Sequence, residues 1–561
     1  MADLKTLLGI TKANVKTING KAIANVKTWD GLSLVSSTTY LLDTYTGAVA
    51  AWSIRQLKSG VTNCIRIRRS SDNTEQDIGF SSGYLDTSSI TSFVGSNSAY
   101  IVTWYDQSGN ANNWGQSTAS KQPRIVNAGT LEVIDSIAAL KFDGSDDKLD
   151  AGTQIGAAIG LSVFMTGKRR TTGVFGQILG TNNTSTYSPF LVFPYSDNTY
   201  RYTVDQGYSS SSSSYAIANH ELNTLLYPAS NTVTVYADGS AIPFSSFNSL
   251  SNTTDFTEIG ARSANSEYTD GHIQEIILYS SDQTSNKGGI ETNIRDYYSL
   301  YLLDIYTGAS VAYSVRKLKS GITNCMRIRR SSDNSEQDIG FVNGYLDTAS
   351  ITSFVGSNDA FVVTWYDQSG NSNNLTQSTA SQQPKIVSSG TIITDGSKAS
   401  MTFDGSNDYM SLGSALTISG AFTSFSVAKR TSSGGLGVAL ITSNGNGRGY
   451  TPYRYSDNYL YCHNVPGVIY SNTGGTSTSQ ELLTGYMDGS SVSSSDLYVN
   501  GSILSGRGQV TQSGATTLDN LGYRSSASEY AAGNIQELIV YTSLNSNRAA
   551  IDTAIKSYYG L

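Results

Sequence analysis

Carboxylate groups recur in this chain at two places with the same spacing. The stretch SSDNTEQDIGF contains Asp72, Glu75 and Asp77, and WYDQSGN adds Asp106. Their counterparts further along the chain are Asp333, Glu336, Asp338 and Asp367. Glycoside hydrolysis needs two carboxyl groups beside the bond, one as acid and the other as nucleophile or base. We favour the alternative interpretation, in which these acids pair with the arginines of the preceding CIRIRR segment and brace a polar sheet face.

The remaining reactive side chains give no catalytic or metal-binding pattern. Glu275 and Glu537 lie in the strand phrases IQEI and IQEL. The phrase FDGSDD lacks the ligand series of a helix–loop–helix calcium site, so a tight turn is the favoured interpretation. The histidines and cysteines are scattered, at His220, His272, His463, Cys64, Cys325 and Cys462. We therefore predict no catalytic residue, no metal and no cofactor.

Tyrosine is abundant, with 36 in the chain beside many Ser, Gly and Asn residues. Aromatic rings beside amide and carboxylate groups suit sugar stacking and hydroxyl bonding. Two stretches, FPYSDNTYRYT and YRYSDNYLY, combine these features around a shared Ser-Asp-Asn turn. The predicted ligand-binding residues are Tyr195, Asp197, Tyr200, Tyr202, Tyr453, Tyr455, Asp457 and Tyr459. The alternative is that these are ordinary tyrosines of sheet strands.

A long internal repeat organises the elements that must position these residues. LLDTYTGAVAAWSIRQLK begins at Leu41, and LLDIYTGASVAYSVRKLK begins at Leu302. We predict two modules, residues 38–299 and 300–561, each with many short strands and an amphipathic closing helix. The Asp238-Gly239 and Asn500-Gly501 pairs predict tight hairpins, and TGAVAAWSIRQLK predicts a short helix. Many strands with few helices indicate two tandem β-sandwiches.

The segment 1–37 contains a doubled phrase, ANVKTING followed by ANVKTWDG. Each copy predicts a hairpin, and isolated hairpins bury too little apolar surface to be stable alone. We therefore expect this segment to be an anchor that folds by assembling, most simply in a homotrimer. Its predicted contact residues are Val15, Ile18, Ile23, Val26 and Trp29. The alternative is a tail that packs on the first sandwich.

Composition limits the function classes. The formal net charge of −7 argues against a nucleic-acid binder. The first residues show no apolar segment of a secretory signal, and no apolar run suggests a membrane span, so we expect neither export by that route nor a membrane partner.

Two resemblances follow from the repeated phrases. FDGSNDYM, YVNGSI and GNIQELIVY resemble the laminin-G or concanavalin-A-like jelly rolls. LLDTYTGA, RIRRSSDN and TWYDQSGN resemble the front of the arabinofuranosidase B type catalytic domain, itself such a sandwich, and are similar to modules of bacteriophage virion proteins. The resemblance implies an all-β fold of two concanavalin-A-like sandwiches with short flanking helices and a small N-terminal β anchor.

The function that we predict from these resemblances is structural. It is a bacteriophage head fibre, decoration or tail-fibre protein, not an enzyme, located in the virion after assembly in the host cytoplasm. Its partners would be other virion proteins and host surface glycans. An arabinofuranosidase-like glycoside hydrolase and a bacterial surface adhesin are the two alternatives.

Overall fold

A computed structural model describes residues 40–561, apart from short stretches, and six two-residue strands before residue 40. The stretches left out are 157, 183–189, 205–206, 212–219, 230–231, 245–247, 250–254, 419, 433–435, 442–449, 465–466, 472–476, 506–507, 512–515 and 525–528. No helix in the part so described is long and apolar enough to cross a membrane.

Two hydrophobic cores divide the described chain. Leu300 belongs to the first core, and Leu302 belongs to the second. In each module the antiparallel strands form a β-sandwich, and their hydrogen-bonded order closes on itself around the core. The strand Asp270–Tyr279 is central to the first module, since it pairs with Ser162–Arg169 on one side and Ala48–Ser53 on the other. The predicted fold class is confirmed.

The two modules use corresponding elements. The longer strands of the first are Ala48–Ser53, Asn63–Arg69, Glu75–Ser81, Ala99–Trp104, Arg124–Asn127, Leu140–Asp143, Leu149–Gly156, Ser162–Arg169, Gln177–Gly180, Phe190–Phe193, Arg201–Val204, Gly207–Ser210, Glu221–Leu226, Thr234–Ala237, Ser240–Ile242, Asp255–Ile259 and Asp270–Tyr279. Those of the second are Val311–Ser314, Asn324–Arg330, Glu336–Val342, Ala360–Trp365, Lys385–Ser388, Met401–Asp404, Met410–Ile418, Phe422–Arg430, Tyr450–Arg454, Leu460–Asn464, Gly467–Ser471, Glu481–Met487, Asp496–Val499, Gly508–Thr511, Thr516–Leu521 and Ala532–Tyr541. The helices are Leu41–Thr44, Thr87–Val94, Lys287–Tyr298, Leu302–Ile305, Thr348–Val355 and Arg548–Tyr559.

The predicted helix in TGAVAAWSIRQLK is wrong. Ala48–Ser53 is a strand, and Trp52 lies opposite Ile276 in the sheet. Ala50, Ala51 and Trp52 are all fully buried. A short apolar run with both faces covered has no alternation to distinguish strand from helix, which is why the sequence misled.

The hairpin and closing-helix predictions are confirmed. Asp238 and Gly239 have φ angles of 48° and 81°, and Asn500 and Gly501 have 49° and 77°, as tight two-residue turns require. The helix Lys287–Tyr298 buries Ile290 and Ile294 against the first core.

The amino-terminal segment forms three small hairpins rather than two. Thr17–Ile18 pairs with Lys21–Ala22, and Thr28–Trp29 pairs with Leu32–Ser33, as the doubled phrase predicts. A third pair, Thr6–Leu7 with Ile10–Thr11, precedes them.

The anchoring role of this segment stays a prediction. Val15, Ile23 and Val26 lie outside the described residues, and so do the side chains of Ile18 and Trp29.

Candidate functional site

The acids in the front of each module brace the sheet, as the favoured interpretation predicts. Asp77 accepts hydrogen bonds from Arg66 Nε and Nη2 at 2.8 and 2.7 Å. Asp72 is held in the same way by Arg69. These arginine bonds lower the pKa of both carboxyl groups. The second module repeats the two pairs as Arg327–Asp338 and Arg330–Asp333.

Asp106 is a buried brace rather than an open carboxylate. Its oxygens accept the backbone N–H groups of Ala51, Ser108 and Asn112 at 2.8–2.9 Å. Asp367 does the same in the second module, for Ala312, Ser369 and Asn373. A carboxylate occupied by backbone donors in this way has no lone pair directed at a substrate.

Glu275 is held in the first core. Arg55 donates to both of its oxygens at 2.7 and 2.9 Å, and Ser53 and Tyr298 bind it as well. Glu537 has the matching bidentate contact with Arg316. Both glutamates are at most 1 % exposed, so they stabilise the fold and are closed to substrate.

The FDGSDD phrase forms the predicted turn. Asp143 Oδ1 accepts the backbone N–H groups of Ser145 and Asp146, and Asp147 Oδ2 accepts that of Asp143. Oxygens of Asp143, Asp146 and Asp147 lie within 4.8 Å of one another. Burial, together with the neighbouring Asp143, raises the pKa of Asp147 to about 7. In the second module, Asp408 behaves alike and its pKa is also about 7.

The predicted ligand-binding residues of the first module divide between surface and core. Tyr200 and Tyr202 are buried at 1 % and 2 % exposure, so their proposed contact with a saccharide is corrected. Tyr195 is half-buried and donates to Glu267 at 2.5 Å. Asp197 is exposed but is paired with Arg201, whose guanidinium lies 3.7 Å from the centre of the Tyr195 ring.

The second module has a different distribution. Tyr453 is buried at 2 % and is corrected in the same way. Tyr455 and Tyr459 are half-buried, and Asp457 is exposed. Tyr455 donates to Glu529 at 2.6 Å. The turn therefore brings three of the four predicted residues of this module to the surface.

A shallow cleft of about 10 Å³, with room for little more than one water molecule, lies beside this turn. Its charged lining residues come from three separate strands and are Lys429, Arg430, Arg454 and Glu481. Arg454 Nε and Nη2 each donate to one oxygen of Glu481 at 2.8 Å. Arg430 Nη1 donates to the backbone oxygen of Tyr455 at 3.2 Å. Sequence reasoning missed this group, because nothing local marks residues that only the sheet brings together.

One donor of the Arg454 guanidinium has no hydrogen-bond partner among the described residues. Arg454 Nη1 is buried and has no hydrogen-bond partner within the described part of the chain. Buried donors nearly always have an acceptor, from the protein, from water or from a ligand. An acceptor for this N–H would be water, a ligand or a residue outside the described stretches.

The first module holds the matching carboxyl group by a different hydrogen bond. Tyr200 donates to Glu221 at 3.0 Å, where the second module has Arg454 on Glu481. Burial, with Asp238 nearby, raises the pKa of Glu221 well above its usual value. The two modules thus hold corresponding carboxyl groups with different partners.

Comparison with known proteins identifies one family. Residues 304–426 match the model of the α-L-arabinofuranosidase B catalytic domain. This segment is less than half of the chain and lies wholly in the second module. It confirms the arabinofuranosidase B part of the resemblance for that module. A search of curated proteins found no match.

Solved structures give distant likenesses. One is a Glu-to-Gln variant of a GH54 α-L-arabinofuranosidase soaked with 4-nitrophenyl α-L-arabinofuranoside, with 12 % identity, a TM-score of 0.36 and coverage of 66 % of this chain and 89 % of that one. Another is an arabinofuranosidase complexed with arabinofuranosyl-α-1,2-xylobiose. It has 13 % identity and a TM-score of 0.34, and the match covers 79 % of this chain and 98 % of that one. Domains LG4-5 of the mouse laminin α1 chain have 11 % identity and a TM-score of 0.20, and the match covers 71 % of this chain and 86 % of that one. At TM-scores below 0.5 these likenesses carry no argument about activity.

The family match corrects the predicted function. The prediction of a bacteriophage virion structural protein that is not an enzyme is wrong, because the matching family is defined by a catalytic domain. The match favours the glycoside hydrolase alternative. The virion partners, the host glycans, the trimer and the virion location stay untested predictions, and the virion ones lose the function that motivated them.

Proposed function

We propose that this protein is a glycoside hydrolase that acts on α-L-arabinofuranosides, with its catalytic cleft in the second module. The observation that carries the proposal is the arabinofuranosidase B catalytic match over residues 304–426. The matched segment ends shortly before Arg430, which lines the cleft.

Glu481 is the carboxylate that we assign to the anomeric carbon. In the retaining form of the reaction, one carboxylate bonds to that carbon, and a second group first protonates the leaving oxygen and then activates water. Glu481 lines the cleft, and its bidentate contact with Arg454 fixes the direction of both oxygens. Such charge-assisted pairs are short and directional, which suits a positioned nucleophile.

Glu529 is the second carboxyl group that we assign. It accepts from the hydroxyl of Tyr455, and the backbone oxygen of Tyr455 accepts from Arg430 of the cleft. Arg524 donates to the other oxygen of Glu529 at 3.1 Å. Burial acts to lower the pKa of Arg524, but the Tyr453 hydroxyl and the Glu529 carboxylate raise it above its usual value. Glu529 is therefore linked to the cleft through Tyr455.

The Arg454 donor supports a sugar as the occupant. A furanoside hydroxyl is a neutral acceptor that can take the free N–H without displacing Glu481. Sites built to bind a hydroxyl group discriminate strongly against analogues that lack it. We expect one hydroxyl group of a sugar that lies over the cleft to reach this contact.

The test is hydrolysis of 4-nitrophenyl α-L-arabinofuranoside by three single variants. E481Q should lower kcat/KM by about 10³-fold or more, because a nucleophile is lost. E221Q, at the matching position of the first module, should leave turnover unchanged. Equal turnover by wild type and E481Q, or loss of turnover in E221Q, would contradict the proposal.

The variant E529Q separates the two roles. Nitrophenolate leaves without a proton, so E529Q should retain more of its activity on this substrate than on arabinofuranosyl-xylobiose, where general acid catalysis contributes about 10²–10⁴-fold. Each assay is run at a temperature at which the variant's melting curve shows both modules folded. A proportional loss on the two substrates would remove Glu529 from the acid role.

A further inference from the structure

A group of three tyrosines lies beside the cleft on the second module. We name Tyr459, Tyr461 and Tyr470 the tyrosine patch. All three rings are half-buried, so each keeps part of its surface open to solvent. The ring centres of Tyr461 and Tyr470 are 5.5 Å apart with planes inclined by 30°, and Tyr459 lies 6.1 and 5.8 Å from them.

The sheet fixes the positions of these rings. Tyr461 and Tyr470 face each other across antiparallel strands, and Gly508 is opposite Tyr470 on the next strand. A Cβ atom at Gly508 would lie 2.1 Å from Tyr470 Cζ. The Tyr470 ring therefore lies over the backbone of Gly508, a space that only glycine leaves open.

The patch combines apolar faces with polar groups. Tyr461 donates to Asp457 Oδ2 at 2.7 Å, and Asp457 Oδ1 accepts the backbone N–H of Tyr459. Burial and this bond to Asp457 raise the pKa of Tyr461, so its hydroxyl stays protonated. Ring faces beside a carboxylate are what a pyranose or furanose needs, with C–H groups on one side and hydroxyl groups at the edge.

The patch is continuous with the cleft. The Tyr455 ring lies 5.8 Å from Tyr461 on one side. On the other side, the backbone oxygen of Tyr455 contacts Arg430 and its hydroxyl contacts Glu529. A linear glycan with one residue in the cleft would extend over these rings.

Among its described residues, the first module presents no such row of rings at the corresponding place. Thr199 and Arg201 replace Tyr459 and Tyr461, and Arg201 pairs with Asp197 over Tyr195. The strand partner of Arg201 is Ser210, where Tyr461 has Tyr470. The same turn thus supports an ion pair in one module and a row of rings in the other.

We propose that the tyrosine patch binds the chain of a polysaccharide and holds it while a side-chain sugar enters the cleft. The proposal rests on the proposed function for the identity of the glycan, but the binding itself requires no turnover.

The test uses affinity electrophoresis of the full chain in gels that contain soluble arabinoxylan, arabinan or dextran. Arabinoxylan or arabinan should retard the wild type, while dextran should not. Y461A and Y470A should each weaken binding about tenfold, the equivalent of roughly 1.4 kcal/mol for one lost ring contact. G508A should weaken it as well, by displacing the Tyr470 ring. R201A, in the first module, is the matched control and should bind like the wild type.

Activity on the small substrate separates this proposal from the previous one. Y461A and Y470A should hydrolyse 4-nitrophenyl α-L-arabinofuranoside at the wild-type rate and lose activity only on the polymer, through a higher KM. Failure of the wild type to bind either polymer, or unchanged binding in both tyrosine variants, would overturn the proposal. Retention by dextran as well would show a nonspecific surface and overturn it too. Polymer binding without any turnover would support the proposal for the tyrosine patch and refute the hydrolase assignment.

Discussion

The two modules have the same frame and different surfaces at one end. Asp106 and Asp367 accept the same set of backbone donors, and Glu275 and Glu537 are held by the same arginine contact. The turns at Asn198 and Asn458 have φ angles of 67° and 71°. At these turns the exposed side chains differ between the modules although the backbone conformation is the same.

The change is an exchange between the two faces of one strand. In the first module Tyr200 and Tyr202 point into the protein, and Thr199 and Arg201 are partly exposed. In the second, Leu460 and Cys462 are buried, and Tyr459 and Tyr461 are partly exposed. Because side chains of a strand alternate between faces, such an exchange alters the surface without altering the topology. This exchange is the structural difference on which the proposed functions of the second module rest.

The largest expected contrast in stability concerns the paired carboxyl groups. E481Q breaks a buried ion pair and leaves Arg454 without its charged partner, so we expect a loss of about 3 kcal/mol from the second module's free energy of unfolding. E221Q replaces a carboxyl group whose pKa is raised by burial, and glutamine resembles its protonated form. We expect no loss for E221Q at neutral pH.

Urea unfolding at pH 7, followed by fluorescence and circular dichroism, measures this contrast. The sign follows from the raised pKa: Glu221 contributes most to stability below about pH 4, and that contribution falls as the pH rises toward its folded-state pKa. E221Q should therefore gain stability over the wild type as the pH increases. Equal losses in E221Q and E481Q would show that the two modules hold these groups in the same way.

A smaller effect concerns the FDGS turns, where the modules should behave alike. The pKa values of Asp147 and Asp408 are raised to about 7. A raised carboxyl pKa gives stability that is present below about pH 4 and lost by about pH 7. The asparagine side chain in D147N or D408N stays neutral at every pH. Each substitution should therefore raise the free energy of unfolding by about 1 kcal/mol at pH 8 and leave it unchanged at pH 4.

Melting curves of the two variants between pH 4 and pH 8 check this. The gain should be slightly larger for D147N, because Asp146 adds repulsion where the second module has Asn407. A constant offset at every pH would contradict the assigned protonation.

Sequence patterns predicted the fold of the two modules well, because the signals for its turns and helices are local. Asp-Gly and Asn-Gly pairs specify positive φ angles, and apolar positions in the closing helices repeat with the helical period. The internal repeat predicted two sandwiches. The strand Ala48–Ser53 was missed, since its burial on both faces removed the alternation that identifies a strand.

The site was predicted only in part. In the first module, the charged Arg201 between Tyr200 and Tyr202 indicates that these two tyrosines face inward. In the second module, the apolar Leu460 and Cys462 indicate that Tyr459 and Tyr461 face outward. Glu481, Arg454 and Arg430 carry no local signal, because strand pairing brings them together from separate parts of the chain. The function was misjudged although the front motif carries the arabinofuranosidase B resemblance, because the acids of that motif brace the sheet and show no catalytic pair.

The central claim is that catalysis takes place at the second module. The most direct measurement is covalent labelling with an arabinofuranose-configured cyclic sulfate, an electrophile that a nucleophilic carboxylate opens, followed by peptide mass spectrometry of the full chain. The account predicts one adduct, on the peptide that contains Glu481, and its loss when arabinose is added in excess. An adduct on Glu221 or on any other residue of the first module would contradict it.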